Sequence, residues 1–180
     1  FSAEKTPSVV QAFEAWMARG ISASSLNELT AMPDRFYQKR LIRVKEEDEV
    51  EEQVSAMVMG NLIHKGLEKV YESHVGKPLK NIDVDQWTAQ AYEAGFNYLI
   101  EVERYSKNAL TQGRNLLTLE ICKKMIRQFL HYDARRAAQG TLILKGVETK
   151  LDFEMQHPTL KLPMKFSGVV DRLEVYDNAF

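Results

Sequence analysis

Cysteine is nearly absent from this chain. Cys122 is the sole one among 180 residues, which excludes an internal disulfide framework and any zinc or iron–sulfur site built from cysteines alone within these residues. It is also weak support for a reducing, intracellular setting. No run approaches the roughly 18 consecutive apolar residues of a membrane span, and no secretory leader opens the sequence, so a non-membrane, non-secreted protein is expected. An excess of one charge is missing too. Twenty-four basic residues against 25 acidic ones leave a net charge of −1, which excludes a whole-chain electrostatic footprint for nucleic acid. There is no HExxH zinc motif, no paired ExxH of a di-iron bundle, no GxxxxGK[ST] loop and no Gly-x-Ser-x-Gly elbow. Zinc proteases, ferritin-like oxidases, P-loop nucleotide hydrolases and serine hydrolases of the elbow type therefore fall away.

What is present reads as a helical half followed by strands. Thr6-Pro7 ahead of Val9, Val10, Phe13, Trp16 and Met17 predicts a capped helix that Gly20 ends. Ser22 predicts a second cap, and Pro33 opens a third segment after a break at Met32. Six acids follow in seven positions (Glu46, Glu47, Asp48, Glu49, Glu51 and Glu52), read as a solvated stretch. Long helices are predicted from Val50 to His74, from about Val84 to Tyr105 and from about Asn115 to Ala138. Beyond Gly140 the apolar period shortens towards two, in TLILKGVETKLDFEM and again in MKFSGVVDRLEVY, with the turn-rich HPTLKLP between them. The expected division is a helical subdomain at 1–140 and a β-hairpin at 141–180, the hairpin opening a mixed sheet whose other strands come from elsewhere. Beginning at Phe1 and ending in strand-like alternation, the sequence is expected to be a piece of a longer protein.

Three places carry candidate chemistry. Gly60 and His64 lie one turn apart on a helix, so the imidazole shares a face with a position where another backbone or a cation can approach, and Glu68 follows on that face. Asp171 alternates with Val169, Leu173 and Val175. An acid on an apolar face needs a partner, and two readings stand: an arginine or lysine of the long helices, or a divalent metal. Glu148, with Lys150, Asp152 and Glu154 at spacing two, reads as one of a solvated strand face. Between Arg104 and Arg136, eight basic residues face two acids, Glu120 and Asp133. Lys123, Lys124 and Arg127 on the third long helix, with Arg114 near its start, are the candidate contacts to a phosphate backbone, beside an apolar stripe of Cys122, Met125, Ile126 and Phe129.

ISASSLNELTAMPDRFYQKRLIRV, then MGNLIHKGLEKVY, GVETKLDFEM and FSGVVDRLEV, in that order and spacing, resemble the PD-(D/E)XK nucleases of the RecB and AddB kind. The resemblance covers nearly everything from Ile21 onward. It implies an α/β fold with a restriction-endonuclease-like core, α+β within these residues. It implies further that His64 and Asp171 are metal ligands, that Glu148 lies in or near the same acidic cluster as a third catalytic residue, and that Arg172 supports the site. The cofactor implied is Mg²⁺ or Mn²⁺. The implied activity is hydrolysis of DNA phosphodiesters, of an exonuclease kind, in a bacterial cytoplasmic DNA repair or recombination protein. The implied partners are a DNA single strand or duplex end and a helicase subunit or fused helicase domain. Such nucleases complete the site with an Asp- or Glu-x-Lys strand that these 180 residues do not include, so weak metal binding and little cleavage are expected of them alone. A non-cleaving DNA-binding or structural arm of such an assembly is the alternative. Where AddB-type relatives carry Cys-Pro this chain has Met32-Pro33, and a methionine cannot supply a thiolate, so no iron–sulfur cluster is expected.

Overall fold

A computed structural model describes residues 4–43, 53–156 and 163–177. Among them, helices α1 (Pro7–Arg19), α2 (Ala23–Ala31), α3 (Pro33–Phe36), α4 (Ala56–Glu72), α5 (Val84–Glu101), α6 (Lys107–Leu110) and α7 (Gly113–Gln139) precede two strands, β1 (Leu142–Met155) and β2 (Met164–Tyr176). The strands pair antiparallel, which makes the architecture α+β. The acidic run at 46–52 and most of the HPTLKLP connection lie outside the described residues.

The chain divides into two compact units. The first joins Phe1–Glu49 to Lys150–Val170. Its helix starts are those expected from the sequence: Thr6 accepts from the Val9 amide with Pro7 in the first turn, and Ser22 forms a reciprocal capping box with Ser25. Met32 stands between α2 and α3 in a non-helical conformation, φ −140° and ψ 66°, that ends one helix as Pro33 begins the next, and α3 continues as a π-helical turn, Tyr37–Leu41. Trp16, Met17, Ile21 and Phe36 form a small core, with Trp16 and Phe36 edge to face at 4.8 Å. Ile21 bridges in parallel to Phe166 of β2, and Phe153 stacks on the same phenylalanine at 4.9 Å.

The second unit joins Val50–Thr149 to Asp171–Phe180 and contains the larger core. Val58, Leu62, Val70 and Tyr71 of α4, Trp87, Ala91 and Leu99 of α5, and Leu119, Cys122, Ile126 and Leu130 of α7 bury one face of each helix. Leu142 and Leu144 add the start of β1, so a helix layer supports this half of the two-stranded sheet. Helices α4 and α5 touch backbone to backbone. A Cβ at Gly66 would overlap the Ala91 carbonyl, and one at Gly95 the Leu62 carbonyl. Gly60, the position expected to admit a close neighbour, has no described atom within 4 Å of an added Cβ. The close approach falls instead at Gly66, two residues past His64, because there the glycine faces α5.

Candidate metal centre

Helix α4 brings His64 to the strands of the second unit. Nε2 of His64 lies 2.7 Å from Oε1 of Glu148 and 3.5 Å from Oδ1 of Asp171, and one donor atom from each of the three residues falls within a 4.8 Å cluster. The surrounding pocket of about 490 Å³ is lined by Gly60, Asn61, Leu67 and Glu68 of α4, Phe129 of α7 and Arg172 of β2, among others.

Each member of the trio is positioned differently. His64 is held by a long, well-capped helix whose Ser55 accepts from the Val58 amide. Glu148 sits on β1 with φ +48°, a left-handed conformation that costs an L-residue about 1–2 kcal/mol. Buried and exposed residues alternate from Leu142 to Gly146, after which Val147, Glu148 and Thr149 are all half-buried. Glu148 keeps the parity of buried Leu142, Leu144 and Gly146, which sets its carboxylate against His64; only beyond the backbone turn do Lys150, Asp152 and Glu154, which had suggested a solvated face, lie exposed. Asp171 is three-quarters exposed. Its neighbours at spacing two, Val169 and Leu173, are exposed as well, so the apolar face that was expected to force a partner on Asp171 is not a buried one.

These residues fit a divalent cation. Two donors on one Mg²⁺-sized ion stand no more than about 4.2 Å apart at about 2.1 Å per bond; both separations from His64 satisfy this, and the Glu148–Asp171 pair lies within 4.8 Å. Nε2 of His64 and Oε1 of Glu148 are shielded from solvent and, despite their 2.7 Å separation, neither completes a hydrogen bond. Hard carboxylate oxygens with one imidazole suit Mg²⁺ and, through the nitrogen, Mn²⁺ somewhat better.

The sequence profile of the PD-(D/E)XK nuclease superfamily matches residues 20–179. The chain belongs to this superfamily. Membership makes it a nuclease, a hydrolase of phosphodiester bonds, and makes the helical half with its C-terminal hairpin an α+β, restriction-endonuclease-like fold. PD-(D/E)XK nucleases typically use divalent metals, in keeping with the trio. No curated protein matches the sequence.

The basic residues singled out from the sequence of this PD-(D/E)XK chain do not all share one surface. Lys123, Lys124 and Arg127 line a groove between α5 and α7 that Asp85 and Glu120 also border, whereas Arg114 borders a separate pocket with Ser55, Ala56 and Met59. The strip is also less positive than the sequence count. Arg127 pairs with Asp85 at 2.7 Å, and Arg136 pairs with Glu174 at 2.5 Å. Of the expected apolar stripe on α7, Cys122 and Ile126 are buried while Met125 and Phe129 are exposed. Burial raises the Cys122 thiol above its usual range.

Four residues beside the trio were not singled out as a group. Lys65 donates to Glu68 at 2.7 Å and stands 4.0 Å from the second oxygen of Glu148; the bond to Glu68 and the nearby carboxylates hold its ammonium above the usual lysine range. Tyr71 donates to Asp133 Oδ2, which also receives Arg172 Nη1 at 2.5 Å. Asp133 is wholly buried. The guanidinium of Arg172 lies between the rings of Tyr71 and Phe129, 4.7 and 5.4 Å from their centroids. Burial is the strongest single influence and disfavours the Arg172 charge, but the bond to Asp133 and the nearby Asp133, Tyr71 and Glu174 together outweigh it and hold the group above its ordinary range. A mixed apolar and polar spacing on α7 that puts Asp133 in register with Ile126 and Leu130 was the available signal.

Proposed function

We propose that this chain is a metal-dependent deoxyribonuclease domain of the RecB and AddB type. It acts as an exonuclease on a DNA single strand or duplex end that a helicase subunit or fused helicase domain delivers. The observation that carries the reading is the convergence of His64, Glu148 and Asp171 on one point beside an open pocket that His64 and Asp171 line. In this reading His64 and Asp171 hold Mg²⁺ or Mn²⁺, with Glu148 as a third ligand. When bound, the ion supplies an activated water and neutralises charge on the phosphate under attack. The protein's own share is to hold three donors in place and to set Lys65 close to Glu148, where its fixed charge favours the approach of a phosphodiester. Lys123 and Lys124, with Arg127 once it leaves Asp85, provide backbone contacts along α7, and Arg114 a separate one. The 180 residues alone are expected to cleave slowly, because the Asp- or Glu-x-Lys strand that the resemblance implies adds a carboxylate and a lysine.

The test is cleavage of end-labelled single-stranded and blunt duplex DNA by this chain and by a version extended through the following codons, each with Mn²⁺, with Mg²⁺ and with chelator. Expected are cleavage by the extended version that chelator abolishes, at least a 100-fold loss in Asp171→Ala and His64→Ala, and release of short products from one end. Metal-independent cleavage, or cleavage unchanged in both variants, would refute the reading. DNA binding without cleavage in the extended version would favour the non-catalytic arm.

A further inference from the structure

We propose that Asp133 of α7 is a positioning residue for the metal centre: by holding Arg172 it fixes the register of β2, and with it the placement of Asp171 opposite His64. This rests on the metal-binding reading of the trio.

The argument starts from the strand. Successive side chains of a strand leave on opposite faces, and slipping the register by one residue exchanges them. Asp171 and Arg172 are successive residues, so a slip of one would present a guanidinium to His64 in place of a carboxylate. Ordinary packing gives little protection, because Val169, Asp171 and Leu173 are all exposed, and of the face they share with Val175 only that last residue is buried. The end of the strand is held where the Asp177 amide donates to the Thr141 carbonyl and the Thr141 amide to Asp177 Oδ1; at Asp171 itself the specification comes from the other face, which carries Arg172 and Glu174.

That face is tied by a chain of ion pairs. Arg172 Nη1 reaches Asp133 Oδ2 at 2.5 Å, Arg172 Nη2 stands 2.6 Å from Glu174 Oε2, and Glu174 Oε1 receives Arg136 Nη2 at 2.5 Å. Two cations and two anions balance, so the cluster is neutral as a whole. Asp133 is its only fully buried charge, and it also accepts from Tyr71. Tyr71 and His64 lie seven residues apart on α4, nearly two turns, hence on the same side of the helix. Adjacent residues of β2 are thus fastened at two points, Asp171 at His64 of α4, and Arg172 at Asp133 of α7 and over the Tyr71 ring of α4. Burying an ion pair contributes little net stability, yet its geometry is demanding, and register control is the use to which such pairs are best suited. Groups that orient metal ligands commonly change metal affinity 10- to 100-fold when altered.

The experiment is a Mn²⁺ titration of the full chain followed by electron paramagnetic resonance, beside thermal melting and near-ultraviolet circular dichroism. The variants are Arg172→Lys, which keeps the charge but loses the planar fork, and the pair Asp133→Leu with Arg172→Met, which replaces the buried ions by apolar groups of similar size and should leave the fold intact. His64→Ala reports the signal that does not come from the trio. Expected is a 10- to 100-fold weaker Mn²⁺ affinity in the double variant, with a melting temperature equal to or above that of the parent, and a several-fold weakening in Arg172→Lys. A folded double variant that binds Mn²⁺ like the parent would overturn the proposal, since the cluster would then be merely structural. Should the double variant not fold, parent-like affinity in Arg172→Lys overturns it equally. If the parent itself binds no more Mn²⁺ than His64→Ala does, the metal reading fails and the proposal with it.

Discussion

Two charged clusters sit on the same side of α4, and they are built on opposite terms. His64, Glu148 and Asp171 are partly or largely exposed, and a pocket opens beside them. Tyr71, Asp133, Arg136, Arg172 and Glu174 are mostly buried and, with two cations against two anions, charge-balanced. The first cluster leaves its chemistry unspent, at the cost of a strained backbone at Glu148. The second has turned the same residue types into geometry. Exposed ligands that can turn towards a cation need a rigid neighbour that does no chemistry itself.

Deleting one member of each cluster should separate them most. Asp133→Ala strands a buried guanidinium and should cost about 3–5 kcal/mol in urea unfolding, whereas Asp171→Ala without metal should stay within about 0.5 kcal/mol. Equal costs would erase the contrast. Tyr71→Phe should cost about 1.5–3 kcal/mol by removing a hydrogen bond to a charged acceptor. It should also change the alkaline limb. Burial, with the Asp133 carboxylate beside it, raises the Tyr71 phenol well above its ordinary 10.0, so its contribution is complete below about pH 10 and is lost as pH rises beyond. Unfolding measured from pH 8 to 11 should therefore steepen above pH 10 in the parent and less so in Tyr71→Phe.

Glu148→Gly sharpens the comparison from the other side. Glycine accepts φ +48° without penalty, so this variant should gain about 1 kcal/mol while weakening Mn²⁺ binding, stability and function moving in opposite directions. A loss of stability would show that the Glu148 carboxylate holds the fold together as well. The smallest effect is expected at Gly60, where alanine meets open space in a helix interior and should gain about 0.5–1 kcal/mol in thermal melting.

The helices were legible because their signals are local. Thr6-Pro7, Ser22 and Met32-Pro33 act within a few residues, and the change of apolar period after Gly140 coincides with the end of α7 and the start of β1. His64, Glu148 and Asp171 could be named together only through the resemblance, since nothing in their spacing shows three segments meeting. What stayed hidden was long-range or conformational. Glu148 looked solvated because Lys150, Asp152 and Glu154 follow it at spacing two, although it shares the parity of buried Leu142 and Leu144; the left-handed backbone that separates the two stretches has no sequence signature. Asp133 counted as one of two acids diluting a basic strip, yet its partner Arg172 lies 39 residues on. Arg127 looked free because Asp85, on another helix, was not in the count. Gly60 drew notice for its place near His64, while Gly66 and Gly95, where helices touch, are distinguished only by what faces them.

The most direct test of the account is a Mn²⁺ titration of the histidine ring signals by proton nuclear magnetic resonance, which detects weak binding through paramagnetic broadening. Substoichiometric Mn²⁺ should broaden the His64 resonances well before those of His74 and His131, and Asp171→Ala should shift that broadening to higher Mn²⁺ concentration. Broadening of all histidines in parallel, or of His64 unchanged by Asp171→Ala, would contradict a metal centre at His64, Glu148 and Asp171.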